Sequence, residues 1–359
     1  MEKAADFTAI PVLDLNLINQ GKEEQLLDEM RNALINVGFF YVKNHGVPQS
    51  LLDKTKESAI KFFDQPLEVK EKFDKIHSRS FYGYSKQGFE TTKGKKDNRE
   101  QYDFGDVVDI APKTDDPEYY GLYAPFQYPT DDVVPGFKDT YEELLRNYNR
   151  LGMRLLEIVA KSLGLPYNVF DKYFEKNHQN RAKVIKYPSV SELDPLDGNQ
   201  GVGPHKDQAF TLTLLYQADF LPGLQALNNK GEWIDVTPLP GTFVVNIGTG
   251  LEILTDGITK ATIHRVNSPP AGMGPRYSIP YFLGVRLDEP FKVLDLPTEL
   301  EYLRAKIKRT PEEEQFKQDF LNRLSTLMME NRVRSHPDVG YKHYPEIAKR
   351  MGIDENTKF

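Results

Sequence analysis

Between Ala182 and Phe282 the chain breaks into seven short apolar or alternating runs, each bounded by Gly, Pro, Asn or Asp: residues 184–187, 210–216, 223–227, 233–236, 243–247, 261–266 and 277–282. Runs this short, recurring this often, are strands rather than helices, and their spacing predicts a sandwich or jelly roll. Pro280 inside the last run predicts an edge or distorted strand position, because proline cannot donate to a ladder.

Upstream the apolar period becomes helical. Residues 21–37 put Leu26, Leu27, Met30, Leu34 and Val37 on one face, with Gly38 placed to end the helix. Residues 39–42 predict a strand, followed by the turn Asn44-His45-Gly46-Val47-Pro48, a helix over 49–63 and another short helix starting at Pro66. Residues 76–98, rich in Gly, Lys and Ser, predict a loop made unusually apolar by Phe81, Tyr82, Tyr84 and Phe89. A long helix over 137–163 carries Leu144, Leu145, Tyr148, Leu151, Leu155, Ile158 and Val159 on one stripe and stops at Gly164-Leu165-Pro166. Residues 311–331 predict a charged amphipathic helix whose Glu312-Glu313-Glu314 opening suits the helix dipole, and 332–359 a polar tail packed on the outside. No Gly/Ser or Pro-rich linker divides the 359 residues. The expected organisation is one structural unit: an N-terminal α/β region over 1–180, the β core over 181–290 and a C-terminal helical extension over 291–359.

The chain has no cysteine, which excludes disulfides, thiolate nucleophiles, zinc–thiolate sites and iron–sulfur clusters. A net charge of −7 without a basic stretch argues against a nucleic-acid partner. No window approaches twenty apolar residues, and residues 1–14 lack the zoning of a signal peptide, so no membrane partner and a cytoplasmic location are expected, with a monomer plausible.

His205-Lys206-Asp207 is followed by His264 and then by Arg276-Tyr277-Ser278. Two imidazoles and one carboxylate make a facial three-ligand site that leaves coordination positions open, which suits non-haem Fe(II). In an extended segment residues i and i+2 point the same way, so His205 and Asp207 can chelate one ion from a single segment while Lys206 points elsewhere. His264 must then arrive from another strand. The same parity puts Arg276 and Ser278 on one face, offering a guanidinium fork and a hydroxyl to a carboxylate. The pattern describes a site for a metal and an acidic small molecule. His45 reads as a hydrogen-bonding element of its turn, His77, His178, His336 and His343 as surface or local structural residues, and Trp233 as core.

Several longer segments occur in a telling order: Ile10-Pro11-Val12-Leu13-Asp14-Leu15, Gly38-Phe39-Phe40-Tyr41-Val42-Lys43-Asn44-His45-Gly46-Val47, Gly223-Leu224-Gln225, Trp233-Ile234-Asp235-Val236, the stretch from Pro240 to Gly248, His264-Arg265-Val266, and Arg276 to Phe282. Together they resemble the 2-oxoglutarate and Fe(II)-dependent oxygenases, in the branch that includes isopenicillin N synthase and the plant hormone and flavonoid oxygenases. The resemblance implies a mainly β fold with flanking helices: a double-stranded β-helix (jelly roll, cupin-like) core, an N-terminal helical region and a C-terminal helix. It implies that His205, Asp207 and His264 hold iron, that Arg276 and Ser278 bind the distal carboxylate of 2-oxoglutarate, and that Tyr187 adds its hydroxyl there. The implied cofactors are Fe(II), 2-oxoglutarate and O2, and the implied reaction oxidises a small organic metabolite, usually by hydroxylation, with release of succinate and CO2. Phe81, Tyr82, Tyr84, Gln101, Tyr102, Phe104, Phe243 and Tyr281 are the candidate substrate residues. Two other readings stay open: an isopenicillin N synthase-like oxidase or cyclase whose substrate carboxylate occupies Arg276 and Ser278, and a non-catalytic ligand-binding protein.

The chain departs from the family pattern in three places. The interval from His264 to Arg276 is longer by about two residues, absorbed in the Pro/Gly turn 269–275. Thr249 stands where an aspartate often follows the Asn-Ile-Gly segment, and Ile185 where an asparagine commonly precedes the tyrosine by two.

Overall fold

Strands whose side chains alternate in direction can bury both faces if one meets a second sheet and the other meets helices. That is the arrangement in the computed structural model, which describes residues 6–354 except 93, 107–112, 114, 176–177, 195, 197 and 289. The ends of the expected N-terminal region and C-terminal tail, 1–5 and 355–359, lie outside the described residues. The larger sheet runs in the order β1 (Val12–Asp14), β2 (Phe39–Lys43), β12 (Thr242–Ile247), β9 (Phe210–Gln217), β14 (Arg276–Gly284), β7 (Arg181–Tyr187), β6 (Glu100–Gly105) and β3 (Gly83–Ser85). The smaller sheet runs β11 (Trp233–Asp235), β10 (Leu224–Leu227), β13 (His264–Asn267) and β8 (Gln200–His205), while β4 (Thr91–Thr92) and β5 (Lys95–Lys96) form a separate ribbon. The two sheets make the jelly-roll core expected from the strand spacing.

The alternation divides the apolar residues into two cores. Ile185, Tyr187, Leu215 and Val244 of the larger sheet meet Val202, Leu224, Ala226 and Val266 of the smaller one. On the outer face, Tyr102, Phe104, Val184, Leu214, Phe243, Val245, Ile279, Tyr281 and Leu283 join the helices. Those helices are α1 (Glu23–Asn32), α2 (Gln49–Phe63), α3 (Leu67–Lys70) and above all α4 (Phe137–Ser162). Tyr148 of α4 stacks on Tyr281 and donates its hydroxyl to the Ile279 carbonyl at 2.8 Å. A Cβ at Gly152 would stand 2.5 Å from Leu283, so this glycine lets α4 lie flush on β14.

The C-terminal third adds α5 (Thr249–Leu254), α6 (Thr298–Arg304) and α7 (Pro311–Ser335), which opens with a Thr310/Glu313 capping box and bends at Arg323. Helices α8 (Pro337–His343) and α9 (Pro345–Arg350) follow. No helix among the described residues is long and apolar enough to cross a membrane.

Four expectations need correction. The 76–98 segment is not all loop: β3 closes one edge of the larger sheet, and β4 and β5 pair within it. Pro280 occupies a central strand rather than an edge, at the distorted position that is the other expectation. The β14 ladder to β9 runs through it, while the ladder to β7 lapses at Ile279 and Pro280, where the missing N–H would have been needed. The tail is not an outer polar appendage, since Val333, Val339, Tyr344, Ile347 and Ala348 are buried. Trp233 is half-buried on the smaller sheet, with the Arg265 guanidinium 4.0 Å from its ring centroid, because a two-residue alternation leaves it on the solvent side.

Helix α1 ends through a wide turn, 33–37, on Gly38, whose φ of 73° only glycine takes without strain; an added Cβ would stand 2.2 Å from the Lys260 carbonyl oxygen. Gly38→Ala is therefore expected to destabilise the protein by about 1–3 kcal/mol, read as a lower denaturation midpoint.

Candidate active site

Strands β8 and β13 pair so that His205 and His264 stand directly opposite each other, their ring centroids 4.2 Å apart. Each imidazole has its direction set from behind. His205 Nδ1 donates to the Gly203 carbonyl at 2.9 Å, and His264 Nδ1 donates to the Thr262 carbonyl at 3.1 Å. A carbonyl only accepts, so the proton sits on Nδ1 and both Nε2 lone pairs are left for a ligand. Asp207 lies just past the end of β8. Its Oδ2 accepts from Thr213 Oγ1 of β9 at 2.6 Å and from Asn246 Nδ2 of β12 at 2.7 Å. Its Oδ1 is thereby aimed at the imidazoles, 3.5 Å from His205 Nε2 and 3.7 Å from His264 Nε2.

One ligand atom from each of the three residues lies within 4.8 Å of the others, a spacing that could hold one metal ion. Burial opposes ionisation of Asp207, but His264, His205 and the Thr213 hydroxyl outweigh it and hold the carboxyl well below the usual range. Burial, joined by neighbouring His205, pushes His264 down to about 4, so it is neutral near pH 7. Two imidazole nitrogen donors and one carboxylate oxygen suit a divalent ion such as Fe(II). Lys206 turns away to Glu252 at 3.1 Å, as the parity predicted.

Arg276 opens β14 and is 1% exposed. Its Nη2 donates to Gln217 Oε1 at 2.9 Å, its guanidinium carbon lies 5.2 Å from the Tyr187 ring centroid, and Nε and Nη1 have no partner. A buried guanidinium with two free donors fits a carboxylate. Tyr187 is the cross-strand partner of Arg276, and Ser278 is buried two residues along the same face. Strand β9 links the two sites: Thr213 reaches Asp207 and Gln217 reaches Arg276, about 13 Å apart along the strand.

A cavity of about 1750 Å³ lies beside His205 and Asp207. Its walls include Ile185, Val202, Phe210 and Phe282 from the sheets and Met328 and Arg332 from α7. None of the eight aromatic or amide residues expected to meet substrate lines it. Phe81, Tyr82, Tyr84, Tyr102, Phe104, Phe243 and Tyr281 are buried and packed into aromatic clusters or against helices, with Tyr102, Phe104, Phe243 and Tyr281 on the outer sheet face. Gln101 faces inward but donates to Glu90 of the cavity wall and to Asp103. Of the remaining histidines, His45 accepts from the Val47 amide and packs on Phe243, as a turn element should, whereas His336 is buried, lines the cavity and bonds Glu90.

Thr213, Asn246 and Gln217 were missed. Their signal is a polar residue at alternate positions of otherwise apolar strands, which places it between the sheets. Missed too were Arg181 and Lys183, which share a face of β7 with Tyr187.

Residues 10–131 match the family described as the non-haem dioxygenase in morphine synthesis N-terminal domain, and residues 176–285 match the 2OG-Fe(II) oxygenase superfamily. The 2-oxoglutarate-dependent dioxygenase frbJ of Dothideomycetidae sp. (strain 11243) is 40% identical over 350 residues, covering 95% of this chain and 94% of that protein. A 2-oxoglutarate-dependent dioxygenase of Gibberella zeae is 33% identical over 361 residues, covering 96% of this chain and 94% of that one. The crystal structure of a full-length Neurospora crassa protein in complex with alpha-KG and thymine superposes with a TM-score of 0.67 at 25% identity, covering 87% of this chain and 96% of that one.

If the Asp207 carboxylate depends on its two supports, Asn246→Leu should lower affinity for a divalent metal by about 10–100-fold with little change in the fold. Anaerobic Fe(II) titration alongside circular dichroism checks this.

Proposed function

Because the chain belongs to the 2OG-Fe(II) oxygenase superfamily and is a 2-oxoglutarate-dependent oxygenase, we propose that His205, Asp207 and His264 hold its iron and that Arg276, Ser278 and Tyr187 hold the distal carboxylate of 2-oxoglutarate. The observation that carries the iron assignment is the convergence of two free Nε2 atoms and one free Oδ1, each with its other polar atom tied back to protein. The unpartnered Nε and Nη1 of buried Arg276 support the carboxylate assignment. The relatives favour this reading over an oxidase whose own substrate would take Arg276.

With iron and 2-oxoglutarate bound, the site supplies O2 activation coupled to decarboxylation, giving succinate, CO2 and an oxidised substrate. The protein's part is to place and protect. Thr213 and Asn246 fix which Asp207 oxygen faces the site, and the Gly203 and Thr262 carbonyls fix the imidazole tautomers. Gln217 holds Arg276 through Nη2 and leaves Nε and Nη1 for the carboxylate. The walls beside the metal ligands, Ile185, Val202, Phe210 and Phe282, offer no proton to a reactive centre and exclude water around the substrate. A small organic molecule fits the cavity, in line with the thymine complex of the Neurospora protein.

His205→Ala or Asp207→Ala should abolish turnover and weaken Fe(II) binding while the fold survives; unchanged iron affinity in both variants would overturn the ligand assignment. Arg276→Met removes a charge-assisted contact and should raise the apparent requirement for 2-oxoglutarate by about tenfold or more, measured as succinate release against cosubstrate concentration. An unaltered requirement would place the cosubstrate elsewhere.

A further inference from the structure

His205 and Asp207 line one part of the cavity, and another part, around Arg99, Arg181, Lys183 and Arg332, is basic. Along β7, Tyr187, Ile185, Lys183 and Arg181 share a face, so Arg181 lies about 13 Å beyond Ile185. Asp103 of β6 stands opposite Lys183, with Lys183 Nζ 3.3 Å from its Oδ1. Glu90 is the hub of this end: Arg99 lies 2.7 Å from it, His336 3.0 Å, Lys75 3.1 Å and Lys183 3.6 Å. Despite burial, Lys183, Lys75 and Arg99 hold Glu90 well below the usual carboxylate range, and Lys183 lowers Asp103. Burial and Lys75 push His336 down to about 4, so it is neutral near pH 7.

Lys75, Arg99 and Lys183 pair with Glu90, Asp97 and Asp103, whereas two arginines of the cavity wall keep buried donors without a partner. Arg181 is 1% exposed; its Nη2 donates to the Phe81 carbonyl at 3.2 Å and lies 3.7 Å from Asp103, while Nε and Nη1 bond nothing. Its guanidinium packs 4.5 Å from the Tyr82 ring centroid, which holds it in place. Arg332, on α7, has a buried Nε without a partner and no ion pair within 4 Å among the described residues. Burial and the repelling Arg181 push Arg332 down to about 9. Both side chains line the cavity. Buried guanidinium donors without a hydrogen-bond acceptor are unfavourable, and an anion bound between the two side chains would supply one to each.

We propose that Arg181 and Arg332 seat an acidic group of the substrate, which is therefore an organic anion, a carboxylate or phosphate monoester on an apolar body. The proposal rests on the iron and 2-oxoglutarate assignment, which sets where the body of the substrate is oxidised. The apolar walls take that body, and the acid joins the barrel, through Arg181, to the α7 roof, through Arg332.

The test uses the full-length protein with Zn(II) in place of iron and saturating 2-oxoglutarate, so that Arg276 is already engaged. The probes are 4-phenylbutanoate, phenyl phosphate and the neutral 4-phenylbutanamide, with thermal unfolding as the readout. At least one acid should raise Tm saturably, by about 1–3 °C, while the amide does not; the stronger of the two identifies the acid class. Arg332→Met should abolish the shift and, without probe, melt no lower than the unaltered protein, since it removes an unpaired charge. Acids that act no better than the amide, or that stabilise Arg332→Met equally, overturn the proposal. So does a variant that melts well below the parent without probe, because Arg332 would then be a structural residue. The visible band of the Fe(II)–2-oxoglutarate form separates the two readings: its absence from the unaltered protein refutes the cosubstrate assignment, whereas its retention in Arg332→Met with loss of the acid effect isolates the seat.

Discussion

Asp207 is gripped from behind by two strands of the larger sheet while its free oxygen faces two imidazoles of the smaller one, and the geometry around the cavity follows from that tie. Thr213 and Asn246 sit on β9 and β12, neighbours in the larger sheet, so they approach the same carboxylate oxygen. Neither bond reaches solvent, so each is worth more than a surface hydrogen bond, and losing one leaves a buried acceptor short. Since β9 also delivers Gln217 to Arg276, one rigid strand sets the spacing between the Asp207 carboxylate and the Arg276 guanidinium. Sites carried on strands hold such spacings more closely than sites on loops.

The part of this geometry that was legible in the sequence is the part governed by short-range parity. His205 and Asp207, or Arg276 and Ser278, need only an extended backbone to face one way, and the sequence carries that information locally. The same rule, applied further, would have rejected two of the substrate candidates. Tyr281 lies three residues beyond Ser278 and Phe243 three before Asn246, so both face α4 and the outer core. The loop aromatics Phe81, Tyr82 and Tyr84 misled for another reason: apolar content in a segment without period signals burial, not exposure to a ligand.

What could not be read is what depends on strand order. That β9 lies between β12 and β14 is a non-local fact, and only this order brings Asn246 and Thr213 together. The basic end of the cavity is more remote still. It collects Glu90 and Arg99, Arg181, and Arg332 from three separate stretches of chain, and at each the local pattern reads as an ordinary charged residue in a loop, strand or helix. Strand β6 escaped notice because Glu100, Gln101 and Asp103 give it a polar texture, although all six of its residues are buried.

The roof over the cavity comes from residues that follow the last strand of the barrel. Met328, Arg332 and His336 lie on or just beyond α7, whereas both imidazoles, Asp207 and Arg276 precede it. The residues proposed for iron and cosubstrate and the residues of the roof therefore occupy separate parts of the chain. Substitutions, insertions or exchanges after about residue 310 can alter what the cavity accepts without touching a residue assigned to iron or cosubstrate, as loops do on a fixed scaffold. Descendants of one oxygenase could diverge in diet while keeping the same furnace.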